Sequence, residues 1–489
     1  MGIDLPTRVF RRCRWPVLIV TLMGTGAACA GVGHKSIGPE GPPTTAAGMQ
    51  APANTVGGTS VPMLSAQPST QPRSNASPFQ PLHAFMRDAT RPGGYLGAVT
   101  LIVREGRIVD LRAYGHRDLA RRAPMRRDAI FRIYSMSKTV TSAAVMQLAE
   151  RGLIDVEAPV QRYLPELADR QVASGDAQVP TLRPARRAIT VRHLLTHTAG
   201  FAAGLPGDDA AATLTRRHDP HAARDLADFV ARLARAPLAA DPGTRFGYDG
   251  AATEVLARLV EAVSGQSFDD YLREHLFAPL RMRDTGFAVP AAARGRIAEL
   301  TTTGDDGRLR LDEGPSQRQP GAPLNAYASG AGGLYSTACD YARFAQMLLD
   351  GGRIADESGF ADCGGARRDG PGPRVLRADT VAAMLRNQLT MLDPPVHQYD
   401  AGEGFGFGGA VVIDPARRSA PASPGQFGWP GAASTTYAID PKRKAVALAL
   451  LQHLPRAGVA GDPPRLSKEF YRLAFAATDA AGSGAPPSP

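Results

Sequence analysis

Lysine is the scarce cation of this 489-residue chain. Of its 56 lysine and arginine residues only Lys35, Lys138, Lys442, Lys444 and Lys468 are lysines, and between Lys35 and Lys442 every cation except Lys138 is arginine. Cysteine is rarer still. Cys13, Cys29, Cys339 and Cys363 are the whole complement, and no His/Cys grouping has metal-ligand spacing, so the sequence predicts neither a metal nor another cofactor. The nucleophile elbow Gly-x-Ser-x-Gly and the zinc-protease pattern His-Glu-x-x-His are both missing, which removes two common hydrolase architectures. A Gly-x-Gly-x-x-Gly string does run from Gly404 to Gly409, but a strand pattern follows it where a dinucleotide site needs a helix. The densest basic run, "ARRAPMRRD", has no interleaved aromatic residue. It reads as a solvated turn and implies no nucleic-acid partner.

Long apolar runs are also missing. The longest, inside "WPVLIVTLMGTGAACAG", covers about a dozen residues against the roughly 20 that a spanning helix needs. It follows Arg8, Arg11, Arg12 and Arg14 and ends at the small-residue site Ala28-Cys29-Ala30, the layout of an export signal over residues 1–30. Cleavage after Ala30 would release a soluble protein. Cleavage before Cys29, at a lipoprotein-like "GAAC" with Gly26 in the position of the usual leucine, would instead leave a lipid anchor on Cys29 as the only membrane attachment. The sequence therefore predicts an exported protein, periplasmic or lipid-anchored in a bacterial envelope. Loss of residues 1–30 lowers the formal net charge from +10 to +7, since that segment carries four arginines and Asp4. In an oxidising compartment Cys339 and Cys363 could pair, but one lies in a helical pattern and the other in a Gly-rich loop, and the expectation is two independent thiols.

What remains is organised in three parts. Residues 31–78 are rich in Pro, Gly, Ser, Thr and Ala without apolar periodicity and read as a flexible linker; residues 479–489 read as a similar tail. The folded region is about 79–478. It opens with a short helix near Leu82–Ala89 and a hairpin, "GAVTLIVREGRIVDLRAYG", turning at Glu105-Gly106. Helical periodicity dominates residues 153–320, and residues 353–374 read as a polar surface insertion. Strand patterns return in "FGGAVVIDP", "GQFGWPG", "STTYAIDP" and "KAVALALLQ" before a last helix near Leu466–Ala477. Strands at both ends with helices between predict an α/β part (79–152 and 321–478) interrupted by a mostly helical one.

The isolated lysine sits in "FRIYSMSKTVTSAAV", three residues after Ser135 at a strand-to-helix transition. That spacing puts both side chains on one helical face, and the exposed N–H groups of a helix start can stabilise an oxyanion. A neutral amine can take a proton from a serine hydroxyl. Arginine stays protonated throughout the usable pH range and cannot. Ser-x-x-Lys alone is a weak motif, but this is its only occurrence here and it uses one of five lysines.

With that motif, "ITVRHLLTHTAGF", "FGYDGAATEVLARLVEAVSGQSFDDYLREHLFAPLRMRDTGF", "SGAGGLYSTACDYARFAQMLLDGG" and "GFGFGGAV" follow in order. Together they resemble the serine β-lactamase and penicillin-binding-protein superfamily, in its class C-like branch, nearest the family VIII carboxylesterases. The resemblance covers residues 80–475. It implies an antiparallel sheet flanked by helices with an inserted helical domain, and an acyl-enzyme mechanism in which Ser135 attacks a carbonyl while Lys138 and Tyr248 share the base work. It also implies an oxyanion hole made by the N–H groups of Ser135 and Ala432, and places His197 in a structural loop.

Two departures from the family pattern tilt the substrate. The second motif commonly reads Tyr-x-Asn, where the amide holds a β-lactam's acylamino group; here it is Tyr248-Asp249-Gly250, and Gly250 has no side chain to do so. The third motif, Lys-Thr-Gly in lactamases, is here Trp429-Pro430-Gly431, which supplies no cation for a substrate carboxylate but an aromatic wall for an apolar group. The expected activity is that of a carboxylesterase on small-molecule esters. The alternatives are a β-lactamase, DD-peptidase or D-amino-acid amidase with the same mechanism, and, in another class, a non-catalytic acyl-binding sensor. Oligomeric state is not legible from the chain.

Overall fold

A computed structural model describes residues 77–482, except 206, 366–371, 393–400, 419 and 420. The expected signal, Cys29 and nearly all of the linker lie outside the described residues. The chain enters through α1 (Gln80–Ala89) and the hairpin β1 (Gly97–Arg104) and β2 (Arg107–Gly115), passes β3 (Phe131–Arg132), and enters α2 (Ser137–Glu150). The middle carries β4 (Gln171–Ser174), β5 (Thr181–Pro184), α3 (Val191–Leu195), α4 (Asp209–His218), α5 (Leu226–Ala234), α6 (Ala251–Ser264), α7 (Phe268–Leu272), β6 (Thr301–Thr303), β7 (Leu309–Leu311) and α8 (Pro315–Arg318). Then come β8 (Tyr335–Ser336), α9 (Ala338–Leu349), α10 (Ala378–Met384), β9 (Glu403–Phe405), β10 (Ala410–Val412), β11 (Phe427–Gly428), β12 (Thr436–Asp440), β13 (Ala445–Leu451), β14 (His453–Leu454) and α11 (Ser467–Gly482).

The central sheet is antiparallel, in the order β2-β1-β13-β12-β11-β10-β9, so strands from the two ends of the chain meet at the β1–β13 seam. The segment "AVALALL" of β13 explains how both faces are covered. Val446, Leu448 and Leu450 join one core with Val99, Leu101 and Val103 of β1. The small residues Ala445, Ala447 and Ala449 turn the other way, where Leu82, Met86 and Phe470 of α1 and α11 approach closely. Continuous apolar patterning here marks a strand buried on both sides. The architecture is the expected α/β one, an antiparallel sheet flanked by helices.

Three local expectations are corrected and a fourth is refined. Cys339 and Cys363 form a disulfide, with Cα atoms 5.6 Å apart, rather than two free thiols. The Gly-rich 353–374 segment is not all surface. Its turn Glu357–Cys363 buries Phe360 and Glu357 against α9, where Glu357 accepts from Arg343 at 3.1 Å, and this places Cys363 beside Cys339. The last helix runs on to Gly482 instead of ending near Ala477, because Asp479 receives Arg443 at 2.9 Å from the β12–β13 turn. The 153–320 region also contains strand pairs. Thr301 and Thr302 of β6 run parallel to β14, so β-branched residues there side with the α/β part.

Candidate active site

The site is built at the start of α2. β3 pairs with β8, and Ile133 N–H continues the ladder by donating to Leu334 O at 3.0 Å. Tyr134 then adopts φ 45°, a left-handed conformation that costs a non-glycine residue on the order of 1–3 kcal/mol. The bend turns the chain sharply from strand into a single 3-10 turn, Tyr134–Met136, and presents Ser135 half-buried before the α-helix begins at Ser137. The helix behind it is no surface element, since all but three of its 14 residues are buried. Its hydroxyls find partners inside the protein: Thr139 Oγ1 donates to Gly408 O at 2.7 Å and Thr141 Oγ1 to Gly330 O at 2.9 Å.

Lys138 is 4% exposed, which removes any reading of it as a solvated surface lysine. Its Nζ lies 3.1 Å from Ser135 Oγ and donates to Ala331 O at 2.7 Å. The same nitrogen stands 5.0 Å from the centre of the Tyr248 ring. Among the described residues no carboxylate pairs with Lys138 directly. Nothing therefore locks the amine as one half of an ion pair.

Tyr248 reaches this point from just ahead of α6. Asp249 Oδ1 accepts from Ala252 N–H at 2.6 Å and so caps the helix that follows. His197 is buried beneath the tyrosine, ring centroids 4.8 Å apart, with Nδ1 facing the Asp249 backbone N–H at 3.4 Å. Burial pushes the imidazole below its ordinary pKa, which favours the neutral ring. On the other side, Trp429 Nε1 donates to Tyr248 Oη at 3.0 Å, and the two ring centroids are 4.9 Å apart.

Trp429 sits one residue beyond β11 and is itself only 4% exposed, packed edge-on against Phe405 at 5.1 Å. Its geometry is that of a floor under Tyr248 more than of an open wall. Gly431 N–H donates to Thr435 O at 2.8 Å. A Cβ on Gly431 would overlap Ile133 O and Thr435 Oγ1, so this position must be glycine for the third-motif turn to lie against the nucleophile strand. Gly250 differs: a Cβ there would meet only Ala331 Cβ, at an ordinary 3.7 Å. Neither Ser135 N–H nor Ala432 N–H has a hydrogen-bond partner among the described residues, which leaves both donors available to an incoming oxygen.

Two supporting residues were not singled out from sequence. Arg132, 1% exposed, lies over the Tyr335 ring at 4.0 Å and donates to Tyr335 Oη at 2.5 Å and Ala322 O at 2.9 Å, which ties the nucleophile strand to residues 322–335. Glu254 of α6, 3% exposed, accepts from Ser329 Oγ at 2.5 Å and Gly330 N–H at 2.9 Å. In the sequence both look like ordinary charged residues.

Known proteins share much of this chain's sequence and its fold. The model of the family described as Beta-lactamase matches residues 82–470. Protein Rv1367c of Mycobacterium tuberculosis is 35% identical over 417 residues, 80% of this chain and 97% of its own length. Esterase EstB of Burkholderia gladioli is 31% identical over 78% of this chain and 91% of its own. The solved structure of EstCE1, a hydrolase with promiscuous acyltransferase activity, superposes with a TM-score of 0.62 at 24% identity, covering 81% of this chain and 97% of that one, and so supports the fold.

Proposed function

The chain belongs to the β-lactamase family, and from that premise we propose that it is a carboxylesterase that hydrolyses uncharged esters through a covalent acyl intermediate on Ser135. The observation that carries the proposal is the contact of Lys138 Nζ with Ser135 Oγ at 3.1 Å in a buried setting without a paired carboxylate. As the neutral amine, Lys138 donates N–H to Ala331 O and turns its lone pair to the serine hydroxyl. Ser135 Oγ attacks the ester carbonyl as its proton passes to Lys138, and the oxygen of the tetrahedral intermediate gains the N–H groups of Ser135 and Ala432. Collapse expels the alcohol with that proton, which Tyr248 Oη relays. Water then attacks the acyl-enzyme by the same groups in reverse. The Trp429 N–H donated to Tyr248 Oη holds that oxygen in place for the relay.

Ester over β-lactam is favoured by what the site lacks: no amide at Gly250 and no cation at Trp429 for a carboxylate. The reading includes export. Support comes from the Cys339–Cys363 disulfide, a bond that persists in oxidising compartments.

The test sets p-nitrophenyl acetate and butyrate against a chromogenic cephalosporin, with intact-mass analysis of the protein after each. Faster ester turnover and an acyl adduct on Ser135 are expected. Faster cephalosporin turnover would overturn the ester assignment, and neither turnover nor an adduct would mean an acyl-binding module. Fractionation of the native host should place the protein outside the cytoplasm.

A further inference from the structure

The carbonyl that holds Lys138 is itself held by a buried acid. Residues 329–331 form a short connection between the helical part and β8, and four of its polar contacts reach Glu254, α2 and Lys138. Ser329 Oγ and Gly330 N–H both donate to the Glu254 carboxylate, at 2.5 and 2.9 Å; Gly330 O accepts from Thr141 of α2; Ala331 O accepts the Lys138 ammonium or amine at 2.7 Å. Glu254 stands six residues after Tyr248, on the helix whose start that tyrosine marks. One side chain thus braces the Lys138 acceptor from the element that delivers Tyr248.

Nothing about the fold requires a carboxylate there. A buried carboxylate has to be desolvated, and desolvation raises Glu254 to about 7, against smaller lowering effects from Ser329, Lys138 and the Gly330 and Ala331 backbone. The groups facing the pair are few. Tyr327, whose ionisation Glu254 opposes, lies on the connection side; Tyr248 and the neutral His197, with Asp249 behind it, lie on the other. Lys138 is the only cation among them.

We propose that Glu254 is a positioning residue for Lys138: its carboxylate fixes the Ser329–Ala331 connection that aims the amine at Ser135. The proposal rests on the reading of Lys138 as the base. Glu254→Gln keeps the shape and the Gly330 hydrogen bond but removes the charge.

The experiment measures kcat and KM of p-nitrophenyl butyrate hydrolysis for wild type, Glu254→Gln, Glu254→Asp and Lys138→Ala. Glu254→Gln replaces the two anionic acceptors of Ser329 and Gly330 by a single neutral one. Its kcat should drop about tenfold with KM within about twofold, as expected when an orienting hydrogen bond is weakened. Glu254→Asp, which keeps the charge but shortens the reach to Ser329 and Gly330, should likewise lose kcat with KM little changed. That variant also decides the question if Glu254→Gln does not fold. A wild-type kcat in Glu254→Gln overturns the proposal, and so does a wild-type kcat in Glu254→Asp. Activity that survives in Lys138→Ala refutes the base and the proposal with it, whereas an inactive Lys138→Ala beside an unaltered Glu254→Gln overturns the proposal alone.

Discussion

Replacing Lys138 by arginine separates charge from basicity at the one place where this arginine-rich chain keeps a lysine. A guanidinium would still be a cation beside the Tyr248 ring and could still donate to Ala331 O and Ser135 Oγ, the two partners that Nζ has at 2.7 and 3.1 Å. What it cannot do is give up its proton. General-base assistance is typically worth about 10²–10⁴ in rate, so a loss of about 10³, or roughly 4 kcal/mol of transition-state stabilisation, is the expected size. Because the site is 4% exposed, the longer side chain also needs room, and Lys138→Met serves as the control that fits the space without charge or base. Initial rates with p-nitrophenyl butyrate, thermal melting and intact-mass detection of the acyl adduct make up the assay. Arginine and methionine variants should both melt as folded proteins, and both should acylate at least about 10²-fold more slowly than wild type. An arginine variant that keeps more than about a tenth of wild-type kcat would refute the reasoning, for a permanent cation would then suffice and the base would lie elsewhere.

Other outcomes follow from the same geometry. Trp429→Phe keeps an aromatic floor but loses the 3.0 Å hydrogen bond to Tyr248 Oη, so kcat should drop by about 5–10-fold, the size of one neutral hydrogen bond, with KM for small esters little changed. Gly250→Asn restores the family's usual residue where the Cβ has room; the variant should fold, and the ratio of cephalosporin to ester turnover should rise by about tenfold if one well-placed amide contact is what the site lacks. A paired Cys339→Ser, Cys363→Ser variant opens a loop closed across 24 residues and should unfold about 3 kcal/mol more easily in denaturant titration, with esterase kcat unchanged because the bridge ties α9 to an outer turn away from Ser135.

How much of this was legible beforehand depends on the kind of signal. The β1–β2 hairpin and the alternating strands near the C-terminus were readable because period-2 patterning is local. Ser135 and Lys138 were readable because their relation is three residues long and lysine is rare. Tyr248 and the Trp429 turn came only through resemblance, since 113 and 294 residues separate them from Ser135 and nothing local predicts that they meet. The disulfide failed as an expectation for a related reason. Cys363 reaches Cys339 only because Phe360 and Glu357 bury against α9, and that burial depends on Arg343, which looks like any other surface arginine in the sequence. Arg132 was hidden the same way: in a chain where nearly every cation is arginine, the one that is fully buried beside the nucleophile has no compositional mark.

Glu254 carries the most telling consequence, because what it does for the site it does against the fold. Its carboxyl group moves from an ordinary 4.5 to about 7 on burial, so the folded state prefers the protonated form. For a group shifted upward, the associated stability is present in full below pH 4.5 and is lost as pH rises through 7. At 1.36 kcal/mol per pKa unit, the loss at mildly alkaline pH is on the order of 3 kcal/mol, a sizeable part of a typical domain's stability. Glutamine in that position escapes the penalty. Glu254→Gln should therefore melt higher than wild type at pH 8 and at nearly the same temperature at pH 4, while turning over ester more slowly at both. Melting curves of the two proteins between pH 4 and 8 test the sign directly. If the difference were independent of pH, or if wild type became the more stable protein on the alkaline side, burial would not be raising the Glu254 carboxyl and this account of its cost to the fold would be refuted.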